Sequence, residues 1–358
     1  MSALPAPTVA AIIEYAQHAS KHAYLGASWF EDLKATRALA AEVINADAGE
    51  IALIKNTSEG ISLAAGGLTW KPGDVVVTTA VEYPTNLYPW MEMAHRHGIK
   101  IVRVPEVEMP DGTRQVPLND ILKAAADPQC RLVTISHVQY ASGQRHDIAA
   151  IGKFCRENGK LFCVDAIQSI GASPVDVKAM NIDFLATGSH KWMMAPPGAG
   201  FFYCRKELIE QMRPVNVGWA NVINNQNYSS NDYTLLPNAG RFEAGSPNLP
   251  GSIGMRVSLG LLHSVGMANI HTRIQVLLDR AIEGLRGKGY QIVSPRDPVS
   301  QSGILIFKSP VHSHDAICKQ MREKKIEMIV REGRLRISPH FYNTEAQIDR
   351  MVAELPGH

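Results

Sequence analysis

Between about residues 51 and 206, short apolar runs alternate with stretches whose apolar residues recur at helical spacing, and this alternation is the strongest constraint on what the chain can fold into. The strand-like runs fall at 51–55, 74–80, 100–104, 131–137, 160–165, 183–187 and 200–204, and the helix-like ones at 58–68, 84–97, 118–126 and 147–158. Strand–helix alternation of this kind predicts an α/β fold: a mainly parallel, seven-stranded, doubly wound sheet with helices on both faces. Ligands of such sheets bind outside the carboxyl ends of the strands.

Beyond residue 206 the pattern changes. Residues 213–240 are rich in Asn, Tyr and Ser and read as an irregular excursion, a loop over a cleft or a dimer contact. A long amphipathic run at 252–285 precedes strand-like runs at 290–293 and 303–307, a helix at 314–324, a strand pair at 327–330 and 334–338, and a last helix at 344–355. These elements predict a smaller α+β C-terminal domain. A length of 358 residues is that of about two domains. The expected division is an N-terminal segment, 1–20, packing on the small domain, a large domain at 21–250 and the small domain at 251–358.

A formal net charge of +2 with 20% charged residues argues against nucleic acid or an anionic membrane as partner. The N-terminus lacks the basic and apolar regions of a secretory signal, and no apolar run approaches the about 20 residues that span a bilayer. Cys130, Cys155, Cys163, Cys204 and Cys318 form no CxxC pair. They suggest neither a disulfide framework nor a metal site, and read as buried thiols of a reducing cytoplasm.

Chemistry concentrates at two strand ends. Val164-Asp165-Ala166-Ile167-Gln168 closes one strand, and Gly188-Ser189-His190-Lys191 closes the next. A carboxylate and a lysine so placed can grip a pyridine ring and bond to its aldehyde, which predicts pyridoxal 5′-phosphate on Lys191. Asp165 would keep the ring nitrogen protonated, although an Asp at a strand end also caps a following helix. Gln168 could donate to the ring's phenolic oxygen. Thr57 and Ser58, in Asn56-Thr57-Ser58-Glu59-Gly60, open a helix and offer hydroxyls and free N–H groups to a phosphate, or a plain helix cap. Tyr83 could stack on the cofactor ring or belong to the core.

Taken in order, Asn-Thr-Ser-Glu-Gly (56–60), Glu-Tyr-Pro-Thr-Asn (82–86), Ser-His-Val (136–138), Val-Asp-Ala-Ile-Gln (164–168), Gly-Ser-His-Lys (188–191) and Arg-Phe-Glu-Ala-Gly-Ser-Pro-Asn (241–248) resemble the class V aminotransferase family of fold-type I pyridoxal-phosphate enzymes. That family includes cysteine desulfurases, selenocysteine lyases and isopenicillin N epimerase-like proteins. The resemblance implies that Lys191 bonds to the cofactor, that Asp165 partners its ring nitrogen and Gln168 its phenolic oxygen, and that Tyr83 stands where many members stack a His. It further implies that Thr57, Ser58, Ser189 and His190 hold the cofactor and that Arg336 binds the substrate carboxylate. Ser246 would reach the phosphate of the other subunit in a homodimer with shared sites.

Three departures from the family pattern matter. Desulfurases carry a persulfide-forming cysteine shortly before the carboxylate-binding arginine, whereas Val330-Arg331-Glu332-Gly333-Arg334-Leu335 is short and has none. Tyr140 replaces an Asn near the phenolic oxygen and serves either as a proton donor or as a wall. The sequence also begins about one strand later than family members do, so that either an N-terminal segment has been trimmed or the recess is more open. The expected activity is β-elimination by a C–S lyase on cysteine-like amino acids. Aminotransfer and epimerisation are the alternatives, and a non-catalytic relative is the remote one.

Overall fold

The computed structural model describes residues 1–229 and 231–357. Its centre is a seven-stranded sheet built from β1 (Ile51–Ile54), β2 (Val75–Thr79), β3 (Lys100–Val104), β6 (Cys130–Ser136), β7 (Leu161–Asp165), β8 (Phe184–Gly188) and β9 (Gly200–Cys204). The spatial order is β1-β9-β8-β7-β6-β2-β3. Neighbours pair in parallel from β3 through to β8, and only β9 runs antiparallel to both its neighbours. The seven expected strands thus all form, in a mainly parallel sheet.

The strands read as continuous apolar runs because both faces of the sheet are covered. In β9, Phe201 and Tyr203 enter one core cluster while Phe202 and Cys204 enter the other; in β7, Phe162 and Val164 oppose Cys163 in the same way. Helices α3 (Thr57–Gly67) and α4 (Tyr88–His97) cover the second face through Ile61, Leu63, Trp90 and Met93. Helices α5 (Leu118–Ala125) and α6 (Ile148–Glu157) cover the first, through Ile121, Ile148 and Ile151. A short hairpin of β4 (Val107–Glu108) and β5 (Arg114–Gln115) lies between β3 and α5, and α7 (Lys206–Ile209) follows β9.

The stretch before residue 51 holds two helices that the apolar pattern did not reveal, α1 (Ala6–His22) and α2 (Trp29–Ile44). Both pack on α8 (Leu249–Val265), with the Thr8 and Ser258 hydroxyls 2.7 Å apart. The amphipathic run at 252–285 is two helices, since Gly266 adopts a φ of 86° between α8 and α9 (Met267–Gly287). An antiparallel sheet, ordered β10-β11-β13-β12, follows from β10 (Gln291–Ile292), β11 (Leu305–Lys308), β12 (Ile329–Arg331) and β13 (Arg334–Ile337). Helix α10 (His314–Glu323) packs beside it, and α11 (Glu345–Glu354) packs on α9. Among the described residues no helix is long and apolar enough to cross a membrane.

One buried carboxylate ties the sheet together below the site. Asp183, just before β8, accepts hydrogen bonds from Arg205 Nε at 2.7 Å, Arg156 Nη2 at 3.2 Å and the Phe162 amide at 2.8 Å. Asp183→Ala leaves the buried Phe162 amide without a partner and loosens the part-buried Arg205 and Arg156, and is expected to cost about 1–3 kcal/mol in urea unfolding; a loss near zero would remove Asp183 from this role.

Candidate active site

Five loops leave the same edge of the main sheet, at the carboxyl ends of β1, β2, β6, β7 and β8. They carry Thr57 and Ser58, Tyr83, Tyr140, Asp165, and His190 with Lys191. Helix α3 starts directly after β1, where the Asn56 side chain accepts the Glu59 amide at 2.9 Å. The helix lies close against β8: a Cβ on Gly60 would stand 2.6 Å from that of Ala186. Glycine there lets the start of α3 approach the strand that delivers Lys191.

Thr57, Ser58, Tyr83, Asp165, His190 and Lys191 line one recess. Tyr83 and Lys191 also line a second, contiguous with it, together with Tyr140, Gln168, Arg331 and Arg336. The Lys191 amine lies 5.8 Å from the centroid of the Tyr83 ring, which meets the Tyr140 ring edge-on at 5.2 Å. Two expected residues stand elsewhere. Ser189 is buried with its hydroxyl donating to the Pro196 carbonyl at 2.6 Å, so it shapes the turn and does not face the recess. Ser246 lines a separate cleft with Gly198 and Asn248.

The charges of the site are held against burial. Desolvation pushes the Asp165 carboxyl up to about 7, opposed by the Ile167 amide that donates to it at 3.0 Å, reinforced by Glu82 and opposed by Lys191. Burial pushes the Lys191 amine down to about 8; Asp165 works against this, and Arg336 and Arg331 add to it. Burial also lowers the Arg336 guanidinium to about 10, and Arg331 lowers it further.

The Lys191 loop is a tight turn. The Met194 amide donates to the Lys191 carbonyl at 3.1 Å, and Met194 takes a left-handed φ of 54°. Its neighbour Trp192 donates its indole N–H to Gln168 Oε1 at 3.2 Å. Because an indole N–H only donates, this bond leaves the Gln168 amide N–H groups for the recess. From the second sheet's side, His340 Nε2 lies 2.9 Å from the Trp192 carbonyl while its Nδ1 accepts the Phe341 amide. That arrangement requires a neutral ring, in line with burial lowering His340 to about 4.

Sequence reasoning missed Glu82 as a functional residue. Its buried carboxylate accepts from Thr79, Ser136, Asn86 and Gln139, and so pins the loop carrying Tyr83. Its place next to Tyr83 in the Glu-Tyr-Pro-Thr-Asn motif was the available signal.

Two buried polar atoms of the residues lining these recesses are unpaired. Among the described residues, Thr57 Oγ1 and Arg336 Nε have no hydrogen-bond partner. A model of the class-V aminotransferase family matches residues 2–351. The chain belongs to the class-V aminotransferase family. It is 31% identical to a probable cysteine desulfurase of Pyrococcus abyssi, over 99% of this chain and 91% of that one. An uncharacterised aminotransferase of Bacillus subtilis is 29% identical over the same shares. Among solved structures, the apo cysteine desulfurase of Thermococcus onnurineus NA1 matches with a TM-score of 0.87 at 30% identity, covering 98% of this chain and 91% of that one. A cystine C–S lyase in complex with cysteine persulfide, at 24% identity and a TM-score of 0.89 over 98% and 93% of the two chains, shares the fold.

A class-V enzyme so built gives Asp165 a measurable signature. Its carboxyl titrates near 7 when folded and near 4 when unfolded, so the cofactor-free protein loses stability as pH rises through that window. Asp165→Asn removes the loss. The melting temperature of the variant relative to the parent is expected to rise between pH 5 and pH 8, and a difference independent of pH would refute the assignment.

Proposed function

We propose that the chain is a pyridoxal-phosphate-dependent C–S lyase that β-eliminates the sulfur substituent of cysteine-like amino acids. The observation that carries this reading is the placing of Lys191 between Asp165 in one recess and Arg336 in the contiguous one, neither of them lined by a cysteine. Strand β12 pairs with β13 through Arg331 and Arg334, so only Glu332 and Gly333 form the connection. Their φ values of 47° and 70° make it a two-residue hairpin turn with no room for a cysteine-bearing loop. All five cysteines are buried, and burial raises each thiol above its ordinary range. Nucleophilic thiolates need the opposite environment.

The recess suits pyridoxal phosphate on its own terms. The raised Asp165 carboxyl calls for a positive partner, which a protonated ring nitrogen is; the orphan Thr57 hydroxyl and the α3 N-terminus call for an anion. Thr57, Ser58 and His190 would hold the phosphate, Tyr83 the ring face and Gln168 the phenolic oxygen. Bound there, the cofactor supplies an electrophilic aldehyde and a ring that withdraws electrons from the substrate α-carbon.

The remaining work falls to the chain. Arg336 donates Nη1 to the Tyr140 carbonyl at 3.0 Å, which fixes the guanidinium and leaves its orphan Nε for the substrate carboxylate. Lys191, lowered to about 8, is deprotonated often enough near neutral pH for its Nζ to take the α-proton. The Cβ–S bond then breaks and its electron pair leaves on sulfur. Tyr140 donates its hydroxyl to Glu332 at 3.1 Å, which supports its reading as a wall of the recess.

With added cofactor, the protein is expected to show a visible band that Lys191→Ala lacks, and to convert L-cysteine to equal amounts of pyruvate, ammonia and sulfide. Alanine as the product would overturn the lyase reading in favour of desulfuration; a keto acid without sulfide would favour aminotransfer.

We also propose a homodimer in which Ser246 of the partner subunit completes the phosphate site. Its separate cleft supports this, as does an apolar groove between α3 and α4 where Val215 packs on Gly66 beside exposed Tyr88. Sedimentation is expected to show a dimer, and Ser246→Ala to weaken cofactor binding several-fold. A monomer that binds cofactor as tightly as the parent would refute shared sites.

A further inference from the structure

We propose that Arg331 forms a second anion subsite on the sulfur side of the recess, so that the preferred substrates carry a carboxylate on their sulfur substituent as well as the α-carboxylate. The inference rests on the lyase reading and narrows its substrate class.

It starts from the register of the hairpin. Ile329 pairs with Arg336 and Arg331 with Arg334. Side chains alternate along a strand, so Ile329 and Arg331 share a face, and the residue across from Ile329 presents to that same face. This is the face that lines the recess: Ile329, Arg331 and Arg336 border it with Lys191. Arg331 and Arg336 are diagonal neighbours, with Cα atoms roughly 7–8 Å apart and Cβ atoms somewhat closer in such a ladder.

The two arginines differ in what they already hold. Arg336 is anchored on Tyr140 and aimed. Arg331 makes only a 3.3 Å contact from Nη1 to its neighbour's carbonyl, Val330 O, and has no carboxylate partner among the described residues. Nearby arginines are paired: Arg334 with Glu106, Arg322 with Glu327, Arg273 with Glu345. Glu332, next in sequence, is engaged by the Tyr140 hydroxyl.

With Lys191 given to the cofactor, the recess presents two cationic side chains, Arg331 and Arg336, while Asp165 faces the cofactor recess. One α-carboxylate answers Arg336 and leaves Arg331 unanswered. A sulfur substituent ending in a carboxylate, as in an S-carboxyalkyl cysteine, would meet it. The chemistry is unchanged: the α-proton goes to Lys191 Nζ, the Cβ–S bond breaks, and the electron pair leaves on a thiolate that bears the second carboxylate. No oxidant or reductant enters.

The test compares S-(2-carboxyethyl)cysteine with its isosteric neutral amide, S-(2-carbamoylethyl)cysteine, on the cofactor-loaded enzyme. The acid is expected to be preferred by about tenfold in kcat/KM, the strength of one charge-assisted contact. Arg331→Gln is expected to bring the acid-to-amide ratio close to one, and Arg331→Lys to restore part of it. A ratio near one in the parent overturns the subsite. So does a ratio that survives in Arg331→Gln, including the case in which both substrates lose equally because Arg331 shares the α-carboxylate. Calorimetric binding of the amine-free analogues, 3-[(2-carboxyethyl)thio]propanoate and its mono-amide, separates this from the lyase reading. An Arg331-dependent preference for the diacid without pyruvate from either cysteine derivative refutes only the lyase; no such preference refutes the subsite.

Discussion

The pairing of Asp165 with Lys191 is the interaction on which the rest of the site depends. Asp165 ends β7 and Lys191 follows the adjacent parallel strand β8, at the carboxyl edge of the sheet. Burial works against both charges, raising the acid to about 7 and lowering the amine to about 8. Each stabilises the other's charge, but the pair does not offset its own desolvation. A site in that condition favours any ligand that brings a cation to Asp165 and bonds to the neutral Lys191 amine. The same displacement of both values toward neutrality is what a group that must exchange protons requires.

Holding that pair in place is the task of the second sheet. His340 reaches from the loop after β13 to the Trp192 carbonyl, and Trp192 in turn orients Gln168. Arg336, on β13, grips the Tyr140 carbonyl in the loop after β6. The cofactor recess thus belongs to the main sheet, while the substrate recess is shared by both. Movement of one sheet against the other would shift Arg336 relative to Lys191, and the hydrogen bonds through His340 and Tyr140 oppose that movement.

Much of this was legible in the sequence, for physical reasons. Strands buried on both faces give uninterrupted apolar runs, so the seven strands of the main sheet and their intervening helices stood out. Lys191, Asp165, Thr57, Tyr83 and Gln168 lie at strand ends, and the topology gathers them. Helices α1 and α2 escaped because their buried faces are narrow, Thr8 alone in α1 and Leu33, Thr36, Ala40, Ala41 and Ile44 in α2, and exposed positions such as Ile13 and Phe30 blur the period. The break at Gly266 was hidden inside a continuous amphipathic pattern. Ser189, in the turn after β8, spends its hydroxyl on the Pro196 carbonyl, a bond that the motif does not reveal. Ser246 lines a cleft apart from the recess that holds Lys191.

The two-residue turn at Glu332 and Gly333 decides how sulfur can leave. A persulfide route needs an exposed thiolate on a loop long enough to reach the substrate, and a tight hairpin supplies neither. Its place is taken by a flat ladder that presents arginines at fixed spacing and by the Tyr140–Glu332 contact beside them. A rigid ladder discriminates by charge position and not by a reactive group. Sulfur that departs as a free thiolate requires no acceptor on the protein; it requires a recess open enough to release an anion and cationic enough to stabilise it as the bond breaks. Arg331, exposed at the mouth while Arg336 is partly buried below, meets both conditions.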